Sequence, residues 1–263
     1  ALLGYPEAEL VGQRFDSLWP SDDPSPKRAL AARLLRGESA TYEQELKRAD
    51  GHPITVIVTD APHFDAHGIL RGVILTITDI SERKASEQRI HYLATHDPLT
   101  GLANRAMFLD QMNTSLLIAQ RHHTRFALLF LDLDRFKEIN DTLGHPVGDE
   151  LLITAARRMR QALRASDLLA RQGGDEFMIL LHDIHSMEEA LGVAEKIRHA
   201  INQPFTLDGA ERLVSVSIGI ALYPDHGTSI EILTRNADAA MYRTKTAGRN
   251  GTSAAGDAPS AST

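Results

Sequence analysis

Two stretches decide the reading of this chain: Phe126-Ala127-Leu128-Leu129-Phe130-Leu131-Asp132 and Arg171-Gln172-Gly173-Gly174-Asp175-Glu176-Phe177. The first is an unbroken apolar run of strand length, which reads as a buried strand. Asp132 comes straight after it. A carboxylate there is costly unless something compensates its desolvation. A metal ion is the usual partner, and an Asp capping the next turn is the plain alternative. In the second stretch the two glycines let a tight hairpin take positive φ and let a ligand approach the backbone. Asp175 and Glu176 sit side by side at its tip and repel each other. Such a pair suits a hard cation with oxygen ligands; a solvated acidic turn is the other reading.

Between these stretches lie Arg135-Phe136-Lys137-Glu138-Ile139-Asn140-Asp141 and Gly144-His145-Pro146-Val147-Gly148-Asp149. Backbone N–H groups and Lys137 just after a strand can hold phosphates. Guanine presents N–H donors along its pairing edge. A carboxylate such as Asp149 can accept from them, and an amide such as Asn140 can complete the reading. Helix capping by Asn140 and Asp149 would use the same residue types.

Outward from this centre the pattern is α/β from Asp97 onward. Helices are predicted over Ala103 to His122, Asp149 to Ala165, Met187 to Asn202 and Ser229 to Ala247. Strands are predicted over Asp167 to Arg171, Phe177 to Leu181 and Leu213 to Leu222. The tail over 252–263 is rich in Gly, Ser, Ala and Pro and is expected to be disordered. Residues 81–96 are polar and helix-favouring, with Ser81 as a candidate N-cap. They read as a linker helix with a seam (Ile80, Ile90, Ala94) too short for a coiled coil. Residues 1–80 mix short helices with an antiparallel sheet. Lys27 to Arg36 reads as a helix closed by Gly37. Tyr42 to Ala49 and Pro53 to Thr59 read as strands joined at Asp50-Gly51, and Arg71 to Thr78 as a further β-rich run.

Composition narrows the function classes. The chain has 263 residues, 43% hydrophobic and 24% charged, with net charge −7 and no cysteine. That reads as globular, without disulfides or thiolate metal sites. An acidic balance argues against a nucleic-acid polymer as partner. No apolar run is long enough for a membrane span, and the first residues do not read as a signal peptide. A cytoplasmic location is expected. The chain lacks an initiator Met, so it reads as a piece of something longer, whose other parts could carry an anchor.

The segments, taken together, resemble the GGDEF family of diguanylate cyclases. The landmarks occur in order: Asp97-Pro98-Leu99-Thr100-Gly101-Leu102-Ala103-Asn104-Arg105, then 132–149, then Gly173 to Phe177, then Tyr242-Arg243-Thr244-Lys245-Thr246-Ala247-Gly248-Arg249-Asn250. The resemblance places this domain at 97–251 and implies an α/β (α+β) palm-like nucleotidyl-cyclase fold. It implies Mg²⁺ or Mn²⁺ on Asp132, the Leu133 carbonyl and Asp175, with Glu176 assisting. Asp175 would also accept the proton of the attacking 3′-hydroxyl. Asn140, His145 and Asp149 would bind guanosine at a site bordered by Gly173 and Gly174. Phe136 and Lys137 would hold phosphates, joined by Lys245 and Arg249. The implied reaction joins two GTP into cyclic di-GMP with release of two pyrophosphates, in a homodimer. Arg164-Ala165-Ser166-Asp167 matches the family's RxxD motif, so Arg164 and Asp167 would bind cyclic di-GMP as inhibitor.

Residues 1–80 resemble a PAS sensor domain through Leu3-Gly4-Tyr5-Pro6, Asp50-Gly51, Gly68 and Asp79-Ile80-Ser81-Glu82-Arg83-Lys84. The opening strands of such a domain are missing, so its sheet should be incomplete and expose an edge. His52, His63 and His67 read as surface residues rather than haem ligands. Glu189-Ala190-Leu191, the name of the opposing phosphodiesterase family, falls inside a predicted helix by chance. The rival to a PAS-regulated cyclase is a silent binding module that senses GTP or cyclic di-GMP. A third reading is one part of a larger protein that also carries a phosphodiesterase domain.

Overall fold

The computed structural model describes residues 2–13, 18, 30 and 32–256. The chain divides into two compact units, Ala1–Ile90 and His91–Thr263. In the first, α1 (Glu7–Leu10) precedes β1 (Ala40–Lys47), β2 (Pro53–Phe64) and β3 (Leu70–Asp79), an antiparallel sheet in the order β1-β2-β3. Alternation along β2 buries Ile54, Val56 and Val58 on one face with Leu46 and Leu3. Gly51, at φ +86, turns the predicted hairpin. β2 runs past the predicted Thr59 because Asp65, not an earlier residue, makes the next turn: its carboxylate accepts from the N–H groups of His67 and Ile69. Both β1 and β3 are edges among the described residues. His52, His63 and His67 are exposed. Of the helix expected over Lys27 to Arg36, residues 27–29 and 31 lie outside the described residues.

The linker helix is α2 (Ser81–Thr95). Ser81 is its first helical residue rather than its N-cap. The Asp79 carboxylate, a stronger acceptor than a hydroxyl, takes the Ser81 N–H at 2.8 Å. Of the residues singled out along this helix, Ile80 precedes it and is buried, and Ile90 is exposed.

The second unit is built on β4 (Phe126–Leu133), all of whose residues are buried. The sheet order is β10-β9-β4-β6-β5, with β5 (Leu168–Gly173), β6 (Glu176–Leu181), β9 (Val216–Tyr223) and β10 (Gly251–Ala254). The period of two sorts β4 onto two cores. Ala127, Leu129, Leu131 and Leu133 pack with residues of α5 (His145–Ala162) and α6 (Met187–Ile201). Phe126, Leu128 and Phe130 pack with α3 (Arg105–His122) and α7 (Ile230–Thr246). A short α4 (Phe136–Leu143) follows β4, and a small hairpin, β7 (Phe205–Leu207) with β8 (Ala210–Arg212), precedes β9.

α7 lies so close to β9 that a Cβ on Gly219 would stand 2.0 Å from the Ala237 carbonyl oxygen. α5 begins at His145, before the predicted Asp149, because Pro146 suits the first helical turn. The predicted strand from Leu213 starts only at Val216. The tail expected to be disordered from 252 instead continues the sheet. β10 pairs parallel with β9, and Ala254 and Ala255 are buried; pairing to an existing strand edge supplies what the weak composition does not. Residues 257–263 lie outside the described residues.

Candidate active site

Asp132 lies inside β4, not after it, on the face that continues Phe126, Leu128 and Phe130 towards α7. It stands opposite Glu176 on β6 and Ser217 on β9. Its side chain is 9% exposed and receives the Lys245 ammonium at 2.6 Å. Burial pushes the Asp132 carboxyl up to about 6; the bond from Lys245 opposes this, and the charges of Asp175 and Glu176 add to it. Glu176 is pushed above its ordinary value by burial, then by Asp175 and by Asp238. The sequence reading missed Asp238, which belongs to α7.

The hairpin tip behaves as its glycines require. Gly173 sits at φ +151 and Gly174 at φ +54, and a Cβ on either would meet nothing within 4 Å. Conformation, not space, demands glycine there. The Asp175 carbonyl accepts from the Leu133 N–H at 3.3 Å, tying the tip to the end of β4. Arg171 braces the tip from below. It donates to the Gly174 carbonyl at 2.8 and 3.0 Å and to both carboxylate oxygens of Asp97 at 3.0 and 3.1 Å. Burial pushes Asp97 upward, but its bonds from Thr100 and Arg171 outweigh this and hold the carboxyl below its ordinary value. The sequence placed Arg171 and Asp97 in motifs without linking them.

The guanosine candidates gather around Gly144 to Asp149. Gly148 is buried, and a Cβ on it would lie 1.9 Å from Asn140 Oδ1 and 3.2 Å from the Phe136 ring. Its missing side chain is therefore the seat of Asn140. Asn140 Oδ1 is buried without a hydrogen-bond partner, an acceptor left for a donor from outside the protein. His145 and Asp149 are exposed on the first turn of α5. Phe136 and Lys137 open α4, whose N-cap Arg135 takes a left-handed conformation and gives no side-chain cap. No side chain caps the first N–H groups of that helix, which leaves them available to an anion.

Arg249 makes no side-chain hydrogen bond or ion pair among the described residues. It lines a cavity of about 420 Å³ with Arg135, Glu138 and Arg212. Lys245, expected on phosphate, pairs with Asp132 here; an ammonium there answers the same excess of negative charge that a metal would. At the RxxD motif, Asp167 is buried and its carboxylate accepts the Arg164 N–H at 3.0 Å. The Arg164 side chain is exposed. Arg160, which the sequence reading passed over, donates to the Asp167 carbonyl at 2.7 Å and to the Arg164 carbonyl.

The family model for the diguanylate cyclase GGDEF domain matches residues 94–251, and that for the PAS fold matches 1–85. The chain belongs to the GGDEF-domain family. It is 48% identical, over 58% of its length and 35% of the relative's, to the diguanylate cyclase TpbB of Pseudomonas aeruginosa. A solved GGDEF-only form of that protein superposes with TM-score 0.60 at 46% identity, covering 61% of this chain and 94% of the other. The coiled coil and GGDEF domain of DgcB from Caulobacter crescentus, solved in complex with c-di-GMP, gives TM-score 0.60 at 28% identity, covering 67% and 93%. The chain spans about a third or less of the curated relatives' length, 30%, 23% and 35% of the first three.

No group of three or more His, Asp or Glu side chains stands ready to hold a metal ion among the described residues. The donor chemistry nevertheless fits Mg²⁺, which is commonly bound through one or two carboxylates together with substrate phosphates rather than by a closed protein cage. Among the described residues no helix is long and apolar enough to cross a membrane.

Proposed function

We propose that this chain condenses two GTP into cyclic di-GMP, releasing two pyrophosphates, and does so on a divalent cation held at Asp132. The observation that carries the reading is the gathering of Asp132, Asp175 and Glu176 at one strand end: burial first, and then the charges of Asp175 and Glu176, push the Asp132 carboxyl up to about 6 although Lys245 touches it. Lys245 answers one of these negative charges, and a divalent cation would answer the others.

Asp132, Asp175 and the Leu133 carbonyl would hold Mg²⁺ or Mn²⁺, with Glu176 assisting. The ion would neutralise charge building on the phosphates. Asn140 Oδ1 and the Asp149 carboxylate accept from the guanine edge, with His145 beside them, and Phe136 and Lys137 hold phosphates at the start of α4. The 3′-hydroxyl of one GTP attacks the α-phosphorus of the other. Asp175 takes the hydroxyl proton, the new P–O bond forms, and the bond to pyrophosphate breaks; the second half repeats this in reverse sense. Lys245 and Arg249 offset the charge that develops. Each domain binds one GTP, so two chains must meet as a homodimer. The PAS unit and α2 would govern that meeting, and cyclic di-GMP bound by Arg164 and Asp167 would prevent it.

The test is turnover of GTP with Mg²⁺ by nucleotide-stripped protein, the product identified by mass, with Asp175→Ala as control. Cyclic di-GMP from the wild type alone supports the reading. No product, despite GTP binding and a demonstrated dimer, leaves the chain a guanine-nucleotide sensor.

A further inference from the structure

Asp134 lies just beyond the end of β4, two residues after Asp132, and is 5% exposed. Its carboxylate is fully engaged. Oδ1 accepts the Ser217 hydroxyl at 2.7 Å; Oδ2 accepts the Ser215 hydroxyl at 2.6 Å and the Asn250 N–H at 3.0 Å. The first two donors belong to β9 and the loop before it. The third is the last residue before β10. Asp134 therefore reaches across β9 and fixes the connection between α7 and β10, Ala247 to Asn250.

That connection carries Arg249. Arg249 and Asn250 are consecutive non-glycine residues at positive φ, +65 and +48, a conformation that needs outside support. The support is visible. The Arg249 N–H donates to the Thr244 carbonyl at 3.0 Å. Asn250 Oδ1 accepts from Arg198 at 3.2 Å and from Asn202 at 2.9 Å. Since the Arg249 guanidinium has no protein partner among the described residues, its backbone alone aims it.

We infer that Asp134 is a positioning residue: it holds the Arg249–Asn250 backbone so that the Arg249 guanidinium faces the β- and γ-phosphates of GTP. This rests on the proposed nucleotide site, and the experiment separates the two. Calorimetry measures GTP and GMP binding to the 263-residue chain for wild type, Asp134→Ala, Arg249→Ala and the double variant. GMP lacks the phosphates that Arg249 would touch. One charge-assisted contact predicts that Asp134→Ala weakens GTP by roughly tenfold and leaves GMP within about twofold. The double variant should be no weaker than Arg249→Ala alone. Asp134→Asn should restore GTP binding, because one amide oxygen can keep the Asn250 and Ser215 bonds while the Ser217 hydroxyl turns to accept.

Equal losses of GTP and GMP, or additive losses in the double variant, would overturn the inference while leaving the nucleotide site standing. Failure of the wild type to bind GTP would overturn both. Should Asp134→Ala not fold, Asn250→Gly keeps the positive φ and the N–H but drops the anchors to Arg198 and Asn202. It should show the same selectivity for GTP loss, and an equal loss of GMP again counts against the inference.

Discussion

Asp132 and Asp134 point from one strand end, both nearly sealed from solvent, and their surroundings could hardly differ more. Asp134 is met by two hydroxyls and a backbone N–H. Asp132 is met by one ammonium and the repulsion of Asp175 and Glu176. A buried carboxylate whose bonds are complete organises architecture. One left in a crowd of like charge is open to a cation. The comparison says that satisfaction, not burial, separates the structural acid from the chemical one.

The sharpest way to break the contrast is to exchange the roles by mutation. Asp132→Asn and Asp175→Ala should each lower GTP turnover by about a thousandfold or more, since both remove charge-stabilising groups from the reacting phosphates. Steady-state production of cyclic di-GMP measures this. Asp134→Ala should act mainly on the fold, costing about 3 kcal/mol in urea unfolding beside its roughly tenfold effect on GTP, because two hydroxyls and an N–H lose their buried acceptor. Asp132→Asn in metal-free protein at pH 8 should cost nothing or raise the unfolding midpoint.

Titration sharpens the same contrast. The folded value of Asp132 lies near 6, above its ordinary 3.8, so the folded state holds this proton more tightly than the unfolded one. The stability it contributes is fully present below about pH 4 and is lost as pH rises through about 6, by up to about 3 kcal/mol without metal. Unfolding curves between pH 4 and 8 should show this loss in the wild type, a flatter response in Asp132→Asn, and recovery on adding Mg²⁺ with GTP.

Asp97 has the opposite sign. Its folded value is depressed, so its contribution is present above about pH 4 and lost as pH falls through that lower value. Arg171→Ala, which removes the partner of the Gly174 carbonyl and leaves Asp97 only its bonds from Thr100, should cost about 1 to 3 kcal/mol and weaken that acid-side dependence.

What the sequence made legible was local. An unbroken apolar run is a strand covered on both faces, and the glycine pair before Asp175 is a hairpin, because period and backbone freedom act over a few residues. Asp134 was illegible for the converse reason. Its partners Ser215 and Ser217 lie 81 and 83 residues away, and Asn250 lies 116 away. The strand Gly251–Ala254 looked like a disordered tail because its order comes from the edge of β9, not from its own composition. The pairing of Lys245 with Asp132 is long-range in the same sense. Gly148 stood in plain view as a turn-like residue, yet its use, making room for Asn140, shows only when α4 and α5 meet.

We propose that the crowding at Asp132 serves a divalent cation. Mn²⁺ binding in the presence of a non-hydrolysable GTP analogue, followed by electron paramagnetic resonance, tests it most directly. Bound Mn²⁺ is expected in the wild type at neutral pH, with release as pH falls below about 6 and at least tenfold weaker binding in Asp132→Asn. Equal Mn²⁺ binding by wild type and Asp132→Asn, with no dependence on pH across that range, would contradict it.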